Sequence, residues 1–335
     1  TWRGFISVAQ MVMLALIVID LGSTHRRLDA IARVLVVSAS VAALLTISQF
    51  QSDALHRAGE DIAGGVNATS VLLMTTIPLG FYLIRRRGSA FWRLIGFLFI
   101  PLAATAVVVT FSRFNLMLMP PLLAVMVVLT LRDRQSRGWV MMMAAALAIG
   151  ATVLVPWDRI RERAETISPY LMDTLQFGRS QTATSSRGYH LRVGLAIARD
   201  NPVLGVGYGN YGHYFLNEYQ YQVSGADRLY RSVRSPHSSY IGIAADLGAV
   251  GLIAWIALLG TCVAAVWRAW KTHRGGDPSL VALIESLAVM LAMHILAYGW
   301  YMPHQREKLF WVILGMCVAV GLLALPGPRE VEAEP

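Results

Sequence analysis

Nine apolar runs constrain this chain more than any other feature. They cover roughly residues 5–21, 31–48, 66–84, 92–110, 114–131, 139–155, 238–267, 280–298 and 309–325. A helix needs about 20 mostly apolar residues to cross a bilayer. In hydrocarbon every backbone N–H and C=O must be satisfied within the protein, which leaves helices and closed barrels. No strict alternation of polar and apolar residues runs through the sequence, so a barrel is excluded. The composition agrees: 15% of residues are charged and 56% hydrophobic, with a mean hydropathy of +0.52, against about 25% charged in ordinary soluble domains. The expected fold is an all-α polytopic membrane protein with nine transmembrane helices in this chain. An apolar run follows Thr1 almost at once, with no cleavable signal pattern. The chain therefore reads as N-terminally incomplete, with further spans expected before it.

Lys and Arg in short loops set the orientation of such a bundle. Thirteen basic residues fall in one set of alternate loops, near 26–33, 85–93, 132–137 and 268–274. Four fall in the other set: Arg57, Arg113, Arg306 and Lys308. The first set is therefore placed in the cytoplasm. The expected organisation is six spans in residues 1–155, an outer loop over 156–237, three spans in 238–325 and a cytoplasmic tail at 326–335. The outer loop holds ten Arg, but long loops are exempt from the charge rule. The net charge of +9 is spread between spans and forms no single stripe, so no nucleic acid partner is expected. Cys262 and Cys317 both lie in apolar runs, where neither a disulfide nor a metal site is expected. No H-E-x-x-H and no D-x-D carboxylate cluster occurs, and the reading includes no metal ion and no cofactor.

The polar exception is Ser185 to Tyr240, rich in Arg, Gly, Tyr and Asn. Apolar residues at helical spacing (Leu191, Leu195, Ile197) predict an amphipathic helix over 187–200 lying on the membrane face, stopped by Asn201-Pro202. The following GVGYGN must turn tightly. Its glycines follow a helix and lack strand context, so they are no dinucleotide fingerprint; they let the backbone bend or approach something closely. His237, after Pro236, is either the natural general base near neutral pH or an ordinary His at a span boundary. Arg187 opens the amphipathic helix, where a cation is not favoured by the helix dipole; it either serves a ligand or snorkels as an anchor. Arg113 stands at the outer end of two spans. It is either a planar fork for phosphate oxygens or a snorkelling anchor. Arg231 and Arg234 either join an anion site or are simply solvated. Tyr208 and Tyr211 belong to a dense tyrosine set that suits sugar stacking or an interfacial aromatic belt equally. Asp246, two turns into the next span, bonds an Arg, orients His237 or is hydrated. Glu285 and His294 share a span and serve function or packing alike. Ser238 and Ser239 lack the G-x-S-x-G elbow of a Ser–His hydrolase.

These motifs together resemble the O-antigen ligase and polymerase superfamily of bacterial inner-membrane glycan transferases. The carrying residues are Thr110-Phe-Ser-Arg113; Arg187 with GYHLRVGLAIARDNPVLGVGYGNY; Pro236-His237-Ser-Ser-Tyr followed by Asp246-Leu-Gly-Ala-Val-Gly251; and Gly64-Gly-Val-Asn67-Ala. Ser238 stands where the family usually has Asn, Asp246 where Glu is common, and Leu191 where Trp is frequent. The family's usual complement of spans is larger than that of this chain, in line with a missing N-terminal part.

The resemblance implies a glycan transferase working at the periplasmic face of the inner membrane. The donor would be a glycan on undecaprenyl pyrophosphate. The acceptor would be lipid A–core for a ligase, or another lipid-linked glycan for a polymerase. Arg113 and Arg187 would stabilise the pyrophosphate leaving group, and His237 would take the acceptor proton during a direct, inverting displacement without a metal. Arg231, Arg234, Tyr208, Tyr211 and Asn67 would bind substrate, with Asp246 in support. Membrane lipids are the other expected partners. Two further readings stand beside this one: a transporter or flippase for lipid-linked glycans, which needs charge in the middle of several spans, and a non-catalytic glycan-binding membrane subunit.

Overall fold

A computed structural model describes residues 2–52, 65–142, 165, 186–222, 235–301 and 307–325. These residues contain helices and turns and no strand. The helices are α1 (Trp2–Leu21), α2 (His25–Ser52), α3 (Val66–Arg85), α4 (Ala90–Val109), α5 (Arg113–Leu131), α6 (Ser186–Asp200), α7 (Tyr211–Tyr214), α8 (Ser239–His273), α9 (Pro278–Met293) and α10 (Lys308–Leu322). α7 runs on through a π-helical turn at Phe215–Tyr219, and α9 through another at His294–Tyr298. Six helices among the described residues are long and apolar enough to cross a membrane, and α1 and α10 supply shorter apolar stretches. Eight of the nine apolar runs thus fall on helices. The run at 139–155 is helical as far as 142 and then lies outside the described residues, as do the charged stretch at 158–163, Arg231 and Arg234.

The chain forms two compact units. One comprises Leu21–Ala164, Val266–Met290 and Ala319–Pro335. Its centre is α3, buried from Thr69 to Arg85 except at Leu72. The α3–α4 approach is close because both helices offer glycine: a Cβ on Gly96 would sit 2.5 Å from the Gly80 carbonyl. Without a hydrophobic force between helices in lipid, such small-residue contacts and buried polar pairs hold the bundle. The polar pairs are present. Asp29, 4% exposed, accepts from the Tyr82 hydroxyl at 2.6 Å and from Arg86 Nε at 2.7 Å, and pairs with Arg33 at 3.0 Å. Arg85 and Glu285 form a second pair at 2.6 Å, both largely buried. α3, α4 and α5 run through Pro78, Pro101 and the Pro120-Pro121 pair.

The other unit comprises Thr1–Asp20, Glu165–Ala265 and Leu291–Val318. Here α10 lies against α1 at Gly315, where a Cβ would come within 2.8 Å of the Ala15 carbonyl. An aromatic set joins Trp255 to Phe310 and Trp311, and His294 to Phe310. A separate core gathers Tyr189, Val193, Ile197, Tyr211, Phe215, Tyr219 and Ala245. The amphipathic helix predicted at 187–200 is thus present as α6. Its inner face is buried against this core, whereas Leu195, grouped with Leu191 and Ile197 in the sequence, is 45% exposed.

The run 238–267 reads as one uninterrupted span in the sequence. In the structure its helix is broken at Gly248, whose φ of 64° and ψ of −160° are not helical. A break inside an apolar segment leaves backbone groups that something must satisfy. In an unbroken helix the carbonyls of Ala245 and Asp246 would accept from residues 249 and 250. Here they accept from Val206 N and Gly207 N at 3.0 and 2.7 Å. The freed N–H groups of Ala249 and Val250 donate to the carbonyls of Pro202 and Val203 at 2.8 and 3.3 Å. The glycine turn after α6 therefore replaces, bond for bond, what the break removes.

Candidate functional site

Among the described residues, the sequence-predicted ones gather at two polar corners, one in each unit. The first is the three-residue connection between α4 and α5. Thr110 ends α4 with its hydroxyl on the Val107 carbonyl at 2.7 Å, and Ser112 N donates to that hydroxyl at 3.3 Å. Phe111 between them is left-handed, with φ at 51°. Arg113 is the first residue of α5 and is partly buried. Behind it lies a buried polar chain. Asn115 Nδ2 donates to the Ser112 hydroxyl at 3.1 Å and to the Ser70 hydroxyl, and Ser112 Oγ donates to Asn67 Oδ1 at 3.4 Å. Ser70, Ser112 and Asn115 are all at most 1% exposed. The structure thus brings Asn67, in the first turn of α3, to the Ser112-Arg113 corner.

The second corner surrounds His237. Ser238 caps α8: its hydroxyl accepts from Ile241 N at 3.4 Å and donates to the Gly299 carbonyl at 3.2 Å. That hydroxyl serves as a helix cap. The Tyr240 hydroxyl donates to the Ile295 carbonyl at 2.7 Å, within the π-helical turn. Gly299 admits the Tyr240 ring so closely that a Cβ there would meet it at 2.5 Å. His237 itself is left-handed, with φ at 53°. It is partly buried, and its ring lies 5.5 Å from that of His190. Phe111 and His237 are the two non-glycine residues at positive φ among the described residues. Such conformations cost about 1–3 kcal/mol and collect at functional sites. Arg187 lies in the first turn of α6.

The glycine turn GVGYGN ties the second corner together. Asp246 accepts from Gly209 N and Tyr211 N, both at 2.8 Å, one on each carboxylate oxygen. Holding this turn is a use of Asp246 that differs from the three the sequence offers. Gly205 and Gly248 face one another's strands of backbone: a Cβ on Gly205 would lie 2.4 Å from Asp246 C, and one on Gly248 2.3 Å from Val203 O. Their φ values of 65° and 64° are also left-handed. Both positions therefore require glycine twice over.

Tyr208 is partly exposed at the turn. Tyr211, which the sequence offers for sugar stacking or an interfacial aromatic belt, is 4% exposed, with its ring stacked on Phe215 and its hydroxyl donating to the His190 carbonyl at 3.1 Å. Its ring faces are used inside the protein. Burial, then Tyr189 and Asp246 nearby, hold its hydroxyl protonated well above the usual phenol range. Tyr219 is pushed up to about 12 by burial and by its 2.9 Å bond to Asp200. Both phenols act as hydrogen-bond donors. Three features escaped the sequence reading: His190, the buried Ser70–Asn115 pair, and the helix break. A polar Asn two residues inside an apolar span was a usable signal for the second.

Helices sheathed in apolar side chains, carrying partly buried Arg and His at strained helix corners, define a polytopic α-helical membrane protein with polar sites at span ends. Residues 97–256 match the family model described as O-antigen ligase (Wzy_C). It contains Arg113, Arg187, His237 and Asp246, whereas Asn67 lies before it. A search of curated proteins gave no match.

Proposed function

We propose that this protein transfers a glycan from undecaprenyl pyrophosphate to a sugar hydroxyl at the outer face of the bacterial inner membrane. The family of residues 97–256 supports a ligase- or polymerase-like activity. The observation that carries the finer reading is the pair of strained corners: Phe111 and His237 are held left-handed beside, or at, the residues assigned to chemistry. His237 takes the proton from the acceptor hydroxyl as the acceptor oxygen forms its bond to the anomeric carbon. The bond from that carbon to the pyrophosphate oxygen breaks, with inversion, and undecaprenyl pyrophosphate leaves. Arg113 and Arg187 stabilise the negative charge that grows on it. Asn67, Tyr208, Arg231 and Arg234 contact donor or acceptor. Asp246 supports the turn beside His237. The acceptor is lipid A–core or a second lipid-linked glycan.

Reconstitution in proteoliposomes with a lipid-linked glycan donor and each acceptor tests this. Wild type should form product, and the product's identity distinguishes ligase from polymerase. His237→Ala and Arg113→Ala should each lower the rate by about 100-fold or more, the range for losing a general base or a charge-stabilising donor. Undiminished product from either variant would overturn its assigned role. Donor translocation without transfer by wild type would replace the reading with a flippase.

A further inference from the structure

We infer that His190 is a positioning residue for His237: its buried ring is the wall against which the His237 imidazole is set. The inference rests on the transferase reading for what His237 does, but not for how it is held.

His190 lies on α6, three residues after Arg187, and is 1% exposed. Burial of an imidazole that deep needs a reason, because a polar ring is costly to remove from water. Its ring packs on Phe215 at 4.9 Å and on Tyr189 at 5.9 Å. Its own carbonyl is held by the Tyr211 hydroxyl at 3.1 Å. His237 lies against it as well, at 5.5 Å with the rings inclined by 53°. A tilted contact of this kind restricts rotation of the His237 ring, whose backbone is already committed to an unusual conformation.

α6 is brought to this place by Gly194, one turn beyond His190. A Cβ on Gly194 would meet Ile241 Cγ2 at 2.5 Å, Pro236 Cβ at 3.5 Å and the Tyr211 ring at 3.5 Å. The helix therefore docks, at a residue without a side chain, directly on the segment that carries His237. Other features hold His237 from its own chain: the Ser238 cap and the anchorage of Tyr240 on the π-helical turn. They fix the backbone that follows His237, while His190 packs against its ring.

The experiment compares His190→Ala, which removes the wall, with His190→Phe, which keeps a flat ring on Phe215. The readouts are kcat and donor KM in proteoliposomes, and the rate at which diethylpyrocarbonate modifies His237, followed by mass spectrometry of the peptide. His190→Ala should lower kcat about 10- to 100-fold with donor KM changed little, the effect of a misplaced catalytic group. His237 should be modified several-fold faster. His190→Phe should return both readouts towards wild type. An inactive His190→Phe would overturn the inference, since the nitrogens and not the ring's shape would then matter. Wild-type kcat and labelling in His190→Ala would overturn it equally. Should His190→Ala fail to fold, Gly194→Ala serves in its place. It pushes α6 away from Pro236 and Ile241 and should raise the labelling of His237; unchanged labelling counts against the inference. If wild type performs no transfer, the transferase reading falls, and the labelling rates alone decide the positioning role.

Discussion

His237 shows how much one residue's backbone constrains its use. A left-handed conformation costs an L residue about 1–2 kcal/mol, because Cβ crowds the carbonyl, and glycine escapes that cost. His237→Gly and His237→Ala should therefore be equally inactive but unequal in stability. The glycine variant should unfold at the higher temperature, with a difference near 1 kcal/mol. Thermal unfolding of both in detergent measures this, and a less stable glycine variant would mean the position carries no strain. The sequence offers His237 as a base because of its type and its place after Pro236. It gives no sign of the left-handed φ, which depends on Ser238 and Tyr240 being anchored on residues 295–299. His190 was invisible for the same kind of reason. A lone His in an amphipathic helix looks the same whether it faces a partner imidazole or a void, and only the approach at Gly194 decides.

At the scale of elements the governing event is the break in α8. Eight apolar runs are legible as helices because length and hydropathy are all a bilayer asks of a span. The break is not legible, since a Gly among Leu, Ala and Val leaves an apolar run equally apolar. What betrays it is a pairing across some forty residues: glycines at 205 and 248, and Asp246 aimed at the amides of 209 and 211. Asp246→Ala would leave both amide N–H groups without their acceptor in a largely buried setting. Each such loss costs about 1–3 kcal/mol. The expected outcome is a clear drop in melting temperature and easier proteolysis of the glycine turn, measured together by thermal scanning and limited digestion. Asp246→Asn keeps one carbonyl oxygen and should fall between. A melting curve for Asp246→Ala that overlays wild type would show that the carboxylate does not hold the turn.

For the whole molecule the open quantity is which face of the membrane each corner occupies. Thirteen basic residues against four in the short loops argue that the loops near 132–137 and 268–274 stay in the cytoplasm. On that orientation the glycine turn and α7 stand outside, as the proposed transfer from a lipid-linked donor requires. The chain is well suited to testing this, because Cys262 and Cys317 are both fully buried. An introduced thiol will dominate the reaction with a membrane-impermeant maleimide. Glu218, after α7, is exposed, and Gly275, after α8, is exposed with nothing within 4 Å of a Cβ placed there. Glu218→Cys should label in intact spheroplasts, and Gly275→Cys only after lysis. Labelling in the reverse order would place the His237 corner in the cytoplasm. Labelling of both thiols in intact spheroplasts would refute the alternation of spans on which the orientation rests. The reverse order would remove the proposed outer-face transfer, because an acceptor in the outer leaflet would then be out of reach of His237.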